Sequence, residues 1–231
     1  MDIKVVVFDM AGTTVEDSDN VHEALIKGFA TAGMTIDRQD ANSVMGIPKP
    51  VAIRTLLSDK FMLKEHIGEQ VTKIHKAFVA EMISFYETDT SVKAKANAEE
   101  TFRALKAMGI KVCIDTGFSR NIADVIIKRL GWSEKNLIDF SVTSDEVNNG
   151  RPFPDMIFKV MQHYSIQSAA QVAKVGDTIS DLQEGTSAGC SIVAGITTGA
   201  FTREELSAVN HTHLIDDLLE IVAIVKSANA A

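Results

Sequence analysis

An apolar run that stops on a carboxylate constrains this chain more than any other feature. Ile3 to Phe8 is rich in β-branched valine, Asp9 follows at once, and then comes Met10-Ala11-Gly12-Thr13-Thr14. The run is too short for a helix of ordinary length and suits a strand buried on both faces. Ligands of open α/β sheets gather beyond the carboxyl ends of the strands, so Asp9 is expected at the mouth of a site. Gly12 lets the backbone come close to a ligand, and the hydroxyls of Thr13 and Thr14 can bond an oxyanion or close the turn. A buried strand followed by an Asp-containing turn explains the same residues, so the rest of the chain has to decide.

Downstream of Thr14 the pattern is helical. Helices are expected over residues 22–32, from about Asp37, over 51–57 and over 64–85, the last with Ile67, Val71, Ile74, Phe78 and Met82 at helical spacing. Met45-Gly46-Ile47-Pro48-Lys49-Pro50 should interrupt this series, because two prolines so close cannot lie in a helix interior. No strand is expected between Thr14 and Tyr86. From Ala98 onward strands and helices alternate. Helices are expected over 99–108, 121–130, 154–164, 181–188 and 217–227, and strands over 111–115, 138–143, 171–175, 191–196 and 213–215. That alternation gives an α/β fold with a parallel sheet covered on both faces. The small-residue tail from Ala228 to Ala231 is expected to fray.

Composition narrows the class. A hydrophobic content of 45% supports a packed interior, and a net charge of −8 points away from nucleic acid and anionic membranes while leaving room for a local phosphate pocket. No apolar run has membrane-spanning length and no signal peptide is visible, so a cytoplasmic protein is expected. Cys113 and Cys190 lack metal-ligand spacing and read as reduced core thiols.

Four strand ends carry useful chemistry. Asp9 follows the first strand, Thr116-Gly117 the second, Arg151 lies beyond the third, and Asp177 follows the fourth with Asp181 four residues on. In a parallel sheet these ends share one edge. Asp9 and Asp177 would repel unless a cation sat between them, and oxygen-only ligands suit Mg²⁺. Carboxylate, cation, hydroxyl and metal together make a phosphoryl-transfer site in which Asp9 attacks phosphorus and water then releases phosphate.

These four motifs, in this order and over nearly the whole length, resemble the haloacid dehalogenase superfamily. The resemblance implies a Rossmann-like core over residues 1–15 and 92–231 and a mobile all-helical cap over 16–91. It also implies Mg²⁺ held by Asp9, the Ala11 carbonyl and Asp177, with Asp181 in support. Phosphate would be held by Gly12, Thr13, Thr116, Gly117 and Arg151. Position 11 departs from the common phosphatase pattern, which has a proton-donating Asp there. The Ala-Gly-Thr form, Met45-Gly46-Ile47-Pro48-Lys49 and Gly150-Arg151-Pro152-Phe153-Pro154 look like the phosphonatase branch, which cleaves a carbon–phosphorus bond. That likeness implies Lys49 as a Schiff-base former, Met45 beside the substrate, and a homodimer. The branch has a histidine three residues beyond its lysine, where this chain has Ala52, and a small hydroxyl residue where this chain has Asp115. Lys49 alone could equally be a solvated lysine or an electrostatic clamp. His22 could reach the substrate or sit on the surface of a first helical turn.

The reading is a hydrolase of a small phosphonate or phosphate ester. An ordinary phosphomonoesterase acting on phosphoglycolate or a sugar phosphate is the alternative. A phosphomutase needs an acid/base near position 11. A phospho-acceptor receiver domain needs about half this length and no helical insert.

Overall fold

In the computed structural model, which describes residues 2–230, six parallel strands form one sheet in the order β3-β2-β1-β4-β5-β6. The strands are β1 (Val5–Phe8), β2 (Lys111–Thr116), β3 (Phe140–Thr143), β4 (Val172–Gly176), β5 (Ile192–Ile196) and β6 (His213–Ile215). The run that opens the chain thus lies in the interior of the sheet. Val5 to Phe8 pair with residues 111–114 on one side and 172–175 on the other. The chain order reverses at β1, which puts Asp9 at the switch point of the topology.

Side-chain alternation divides the core. Val6 and Phe8 face a large cluster that includes Phe102, Ile126 and Trp132, while Val5 and Val7 face Cys113, Val142, Met156, Ile157 and Val160. The first face is covered by α5 (Ala98–Ala107), α6 (Arg120–Leu130) and α10 (Glu220–Ala230), and the second by α7 (Asp155–His163) and α8 (Ile179–Ala188). This is the Rossmann-like arrangement of a sheet buried on both sides.

Between β1 and α5 lie four helices, α1 (Asn20–Ala30), α2 (Arg38–Asn42), α3 (Lys49–Asp59) and α4 (Ile67–Thr88). They pack on one another through α1–α4 and α3–α4 contacts, and α4 also touches α6. Their apolar interior is continuous with that of the sheet: Phe78 and Tyr86 of α4 place their rings 6.4 and 6.2 Å from that of Phe118, in the loop after β2.

Three expectations change. The expected break is present between α2 and α3, but the second helix starts earlier than Val51. The helix α3 begins at Lys49, so Pro50 occupies its first turn, where an N–H would have no intrahelical acceptor in any case. The tail does not fray through Ala230: Asn229 closes α10 against the start of the chain, its side-chain amide donating to the Ile3 carbonyl and its oxygen accepting from the Ile3 N–H. The last residue of the tail, Ala231, lies outside the described residues. A short helix α9 (Arg203–Ser207), started by a reciprocal cap between Thr202 and Glu205, was not anticipated. No helix among the described residues is long and apolar enough to cross a membrane.

Candidate active site

The strand ends and the inserted helices enclose a cavity of about 40 Å³. Asp9, Ala11, Thr116, Gly117, Arg151 and Asp177 line it from the sheet side, and His22, Met45 and Lys49 from the inserted helices. Asp17, Phe118, Thr178 and Ala200, none of them among the expected site residues, also face it. Gly12, Thr13 and Asp181 lie one step back.

The recessed residues explain how Asp177 is set. Thr13 donates its hydroxyl to Asp177 Oδ1 at 2.8 Å, and the Ala200 N–H donates to Oδ2 at 2.7 Å. Gly12 has φ +85°, and a Cβ there would lie 2.2 Å from Asp177 Oδ2; a Cβ at Gly199 would be equally close. Two glycines therefore let backbone wrap the carboxylate. Thr14 donates to the Asp9 carbonyl at 2.8 Å, and Lys95 Nζ donates to the carbonyls of Gly12 and Thr198, each at 2.6 Å. The hydroxyls after Asp9 thus serve the loop and its neighbour Asp177.

Arg151 is the hub of a buried charge network. Its Nη1 lies 2.6 Å from Asp9 Oδ1 and 3.0 Å from Asp181 Oδ1, its Nη2 is 2.5 Å from Asp115 Oδ1, and its Nε is 3.0 Å from Glu184 Oε2. Lys174, fully buried in β4, pairs with the same Asp115 oxygen and lies 3.1 Å from Asp181 and 3.2 Å from Glu184. Burial pushes the Asp115 carboxyl up, but Arg151 and Lys174 outweigh it and hold the group below its ordinary range. Burial and the neighbouring Asp115 push Glu184 well up, towards its protonated form. Among the described residues, Asp115 Oδ2 and Glu184 Oε1 have no hydrogen-bond partner. Lys174 and Glu184 escaped the sequence reading, although a lysine inside the apolar run Val172-Ala173-Lys174-Val175 was a visible anomaly.

Asp9, Asp177 and Asp181 each bring a carboxylate oxygen within 4.8 Å of the others. Burial first, then the neighbouring carboxylates, push Asp9 up to about 7 and Asp177 up to about 6, against the lowering effect of Arg151 on Asp9. Carboxylates crowded in a dry site are what a hard divalent cation relieves, and the all-oxygen donor set fits Mg²⁺. Asp181 already accepts from the Thr178 N–H and hydroxyl through Oδ2, so its remaining oxygen faces the cluster and the two cations.

The inserted segment reaches deep into this edge. Gly46 has φ +80°, and a Cβ there would lie 2.2 Å from Thr178 Oγ1; a Cβ at Gly117 would lie 3.2 Å from the Ile47 carbonyl. That fit carries Lys49 into the interior. It is 4% exposed, and among the described residues no carboxylate lies within ion-pair distance of its amine, which sits 5.9 Å from the centre of the Phe78 ring. Burial lowers its pKa to about 8, opposed by Asp9 and Asp17. His22 is buried rather than on the surface, with Nε2 3.2 Å from Asn42 Oδ1 and Nδ1 3.7 Å from Asp19.

A parallel sheet with a buried carboxylate, a buried arginine and an acidic cluster at one edge is the arrangement a class of phosphoryl-transfer hydrolases uses. Residues 3–189 match the family of haloacid dehalogenase-like hydrolases, and the chain belongs to it. Its relatives include the phosphonoacetaldehyde hydrolase of Bacteroides fragilis, 29% identical over 239 residues, covering 99% of this chain and 90% of that one. A Bacillus cereus protein of the same name is 30% identical over 226 residues, covering 93% of this chain and 84% of its own. The crystal structure of a phosphonoacetaldehyde hydrolase-like protein from Oleispira antarctica superposes with a TM-score of 0.83 at 21% identity, over 100% of this chain and 94% of that one, and shares the fold.

Proposed function

We propose that this hydrolase is Mg²⁺-dependent and releases phosphate from a small carbonyl-bearing phosphonate, with Asp9 as nucleophile and Lys49 as Schiff-base former. The observation that carries the reading is the pairing of Ala11, which has no proton to give, with a buried amine in the same cavity. Lys49, its pKa lowered to about 8, is in part neutral near physiological pH and so nucleophilic. The amine condenses with the substrate carbonyl and releases water. Asp9 then attacks phosphorus, the carbon–phosphorus bond breaks, and its electron pair enters the imine to leave an enamine. No leaving oxygen has to be protonated, which removes the need for an acid at position 11. Water frees phosphate from Asp9, and protonation and hydrolysis of the enamine release the carbonyl product.

Arg151 orients the Asp9 carboxylate and neutralises charge on the phosphoryl group, and Thr116 and Gly117 border that group. Asp9, the Ala11 carbonyl and Asp177 would hold Mg²⁺, with Asp181 behind them. The ion would supply charge neutralisation at the phosphoryl oxygens. Residues 16–91 act as a cap: a cavity of about 40 Å³ is filled by a few waters, so substrate enters when these helices move away from the sheet edge.

Borohydride reduction in the presence of phosphonoacetaldehyde is expected to trap an adduct on Lys49, found by peptide mass mapping, and Lys49→Ala is expected to lose at least about a hundredfold in phosphate release. Absence of the adduct together with normal turnover by Lys49→Ala overturns the imine route. A phosphomonoesterase is the second reading. His22 favours it, being buried and lining the cavity, where its imidazole could protonate an alkoxide in place of Ala11. It predicts an alcohol product and tolerance of Lys49 loss.

A further inference from the structure

Lys49 has cavities on two sides. Opposite the small chamber that holds Asp9 lies a larger cleft of about 210 Å³, between the start of α3, the face of α4 and residues 144–150. Lys49, Gly117 and Phe118 border both spaces. The chambers differ in what they can hold. About 40 Å³ suits a phosphoryl group and little else, whereas the cleft has room for a chain of several atoms.

The cleft also differs in charge. Its walls carry Lys49, His75 and Asp145 as the titratable groups, with Asn148 beside them and the Phe78 and Phe118 rings at its base. Asp145 is committed: its oxygens accept from the Arg120 N–H at 3.0 and 3.2 Å and from the Thr143 hydroxyl at 2.6 Å. Among the described residues that line the cleft, Lys49 is the one fixed cation available to a second phosphate or a carboxylate. His75 and Asn148 remain as neutral hydrogen-bonding groups, and burial lowers the His75 pKa, which favours its uncharged form.

We propose that this cleft receives the organic end of the substrate, and that the preferred substrate is a phosphonate whose carbonyl carbon carries a short, neutral, hydroxylated chain rather than a bare aldehyde. The inference rests on the imine reading given above. The phosphonate sits against Asp9 and Arg151, the carbonyl carbon meets Lys49 at the shared wall, and the substituent continues past the amine towards His75 and Asn148. The bonds made and broken are those of the phosphonoacetaldehyde case, with a ketone in place of the aldehyde and a hydroxyketone as product.

The test compares hydroxyacetonyl phosphonate with phosphonoacetaldehyde in phosphate release, in the wild type and in Val51→Trp. Val51 is 52% exposed at the rim, so an indole there can fill the cleft without repacking a core. The wild type is expected to favour hydroxyacetonyl phosphonate in kcat/KM by about tenfold or more, and Val51→Trp to lower that preference by a similar factor. Asn148→Trp fills the cleft from the exposed opposite wall and is expected to do the same should Val51→Trp not fold. A wild-type preference for the aldehyde, or a ratio unmoved in both variants, overturns the cleft assignment. Borohydride trapping on Lys49 is run in parallel with both compounds. Adducts with an unmoved ratio defeat the cleft alone, whereas no adduct with either compound defeats the imine reading and the cleft assignment with it.

Discussion

Asp115 shows how a single residue can matter without touching the cavity. It stands one position before Thr116, on the same sheet face as Cys113 and Lys174, and is fully buried. Its carboxylate joins Arg151 and Lys174, two cations that also serve Asp181 and Glu184. Removing one partner of a buried ion pair costs far more than the pair contributes, because the survivors stay desolvated. Asp115→Asn keeps the shape and deletes the charge. It is expected to destabilise the fold by roughly 3 kcal/mol in urea unfolding and to lower kcat by releasing Arg151 from its fixed aim at Asp9. A stability loss with kcat untouched would make Asp115 a packing residue only.

At the scale of elements, the fit between the inserted segment and the sheet edge rests on a few backbone positions. Gly46 lies in the left-handed region and has Thr178 against its α-carbon, so Gly46→Ala must both strain the turn and push Thr178, the N-cap of α8, aside. Left-handed backbone costs a non-glycine residue about 1–2 kcal/mol, and the collision moves the segment that carries Lys49. Gly46→Ala is expected to cut kcat/KM for phosphonoacetaldehyde about tenfold or more, while its unfolding free energy falls by only about 1–2 kcal/mol, as steady-state kinetics and urea titration would read. An activity loss no larger than the stability loss explains would place the segment outside the site.

This is also the level at which the sequence was most and least informative. Strands such as Val5–Phe8 and helices such as α4 were visible because apolar periodicity is local. The reach of Met45–Lys49 into the sheet edge was not, since it depends on Gly46 meeting Thr178, more than a hundred residues away in the chain. The same holds for Thr13, whose hydroxyl is satisfied by Asp177, and for the Lys174–Glu184 pairing across β4 and α8. Motif order located the residues at the sheet edge; which of them face the cavity and which stand behind it is a property of packing.

For the whole molecule, the role proposed for Lys49 sets function against stability. A net stability of about 5–15 kcal/mol is ordinary for a domain, and a lysine buried without a carboxylate partner draws on it directly. Its pKa falls from 10.5 to about 8, which corresponds to roughly 3 kcal/mol of cost for the charged form in the folded state. The unfolded chain holds that proton more tightly, so folding stability rises with pH between about 8 and 10.5, and the full cost applies below 8. Lys49→Met fills the same space without the charge. At pH 7 the variant is expected to be more stable than the wild type by up to about 3 kcal/mol in urea unfolding, with the difference shrinking towards zero by about pH 10.5. The same variant should form no borohydride-trapped adduct. A variant that is less stable at pH 7, or whose advantage does not change with pH, would mean that the amine is compensated in the folded protein. The lowered pKa on which its proposed role as nucleophile depends would then be absent.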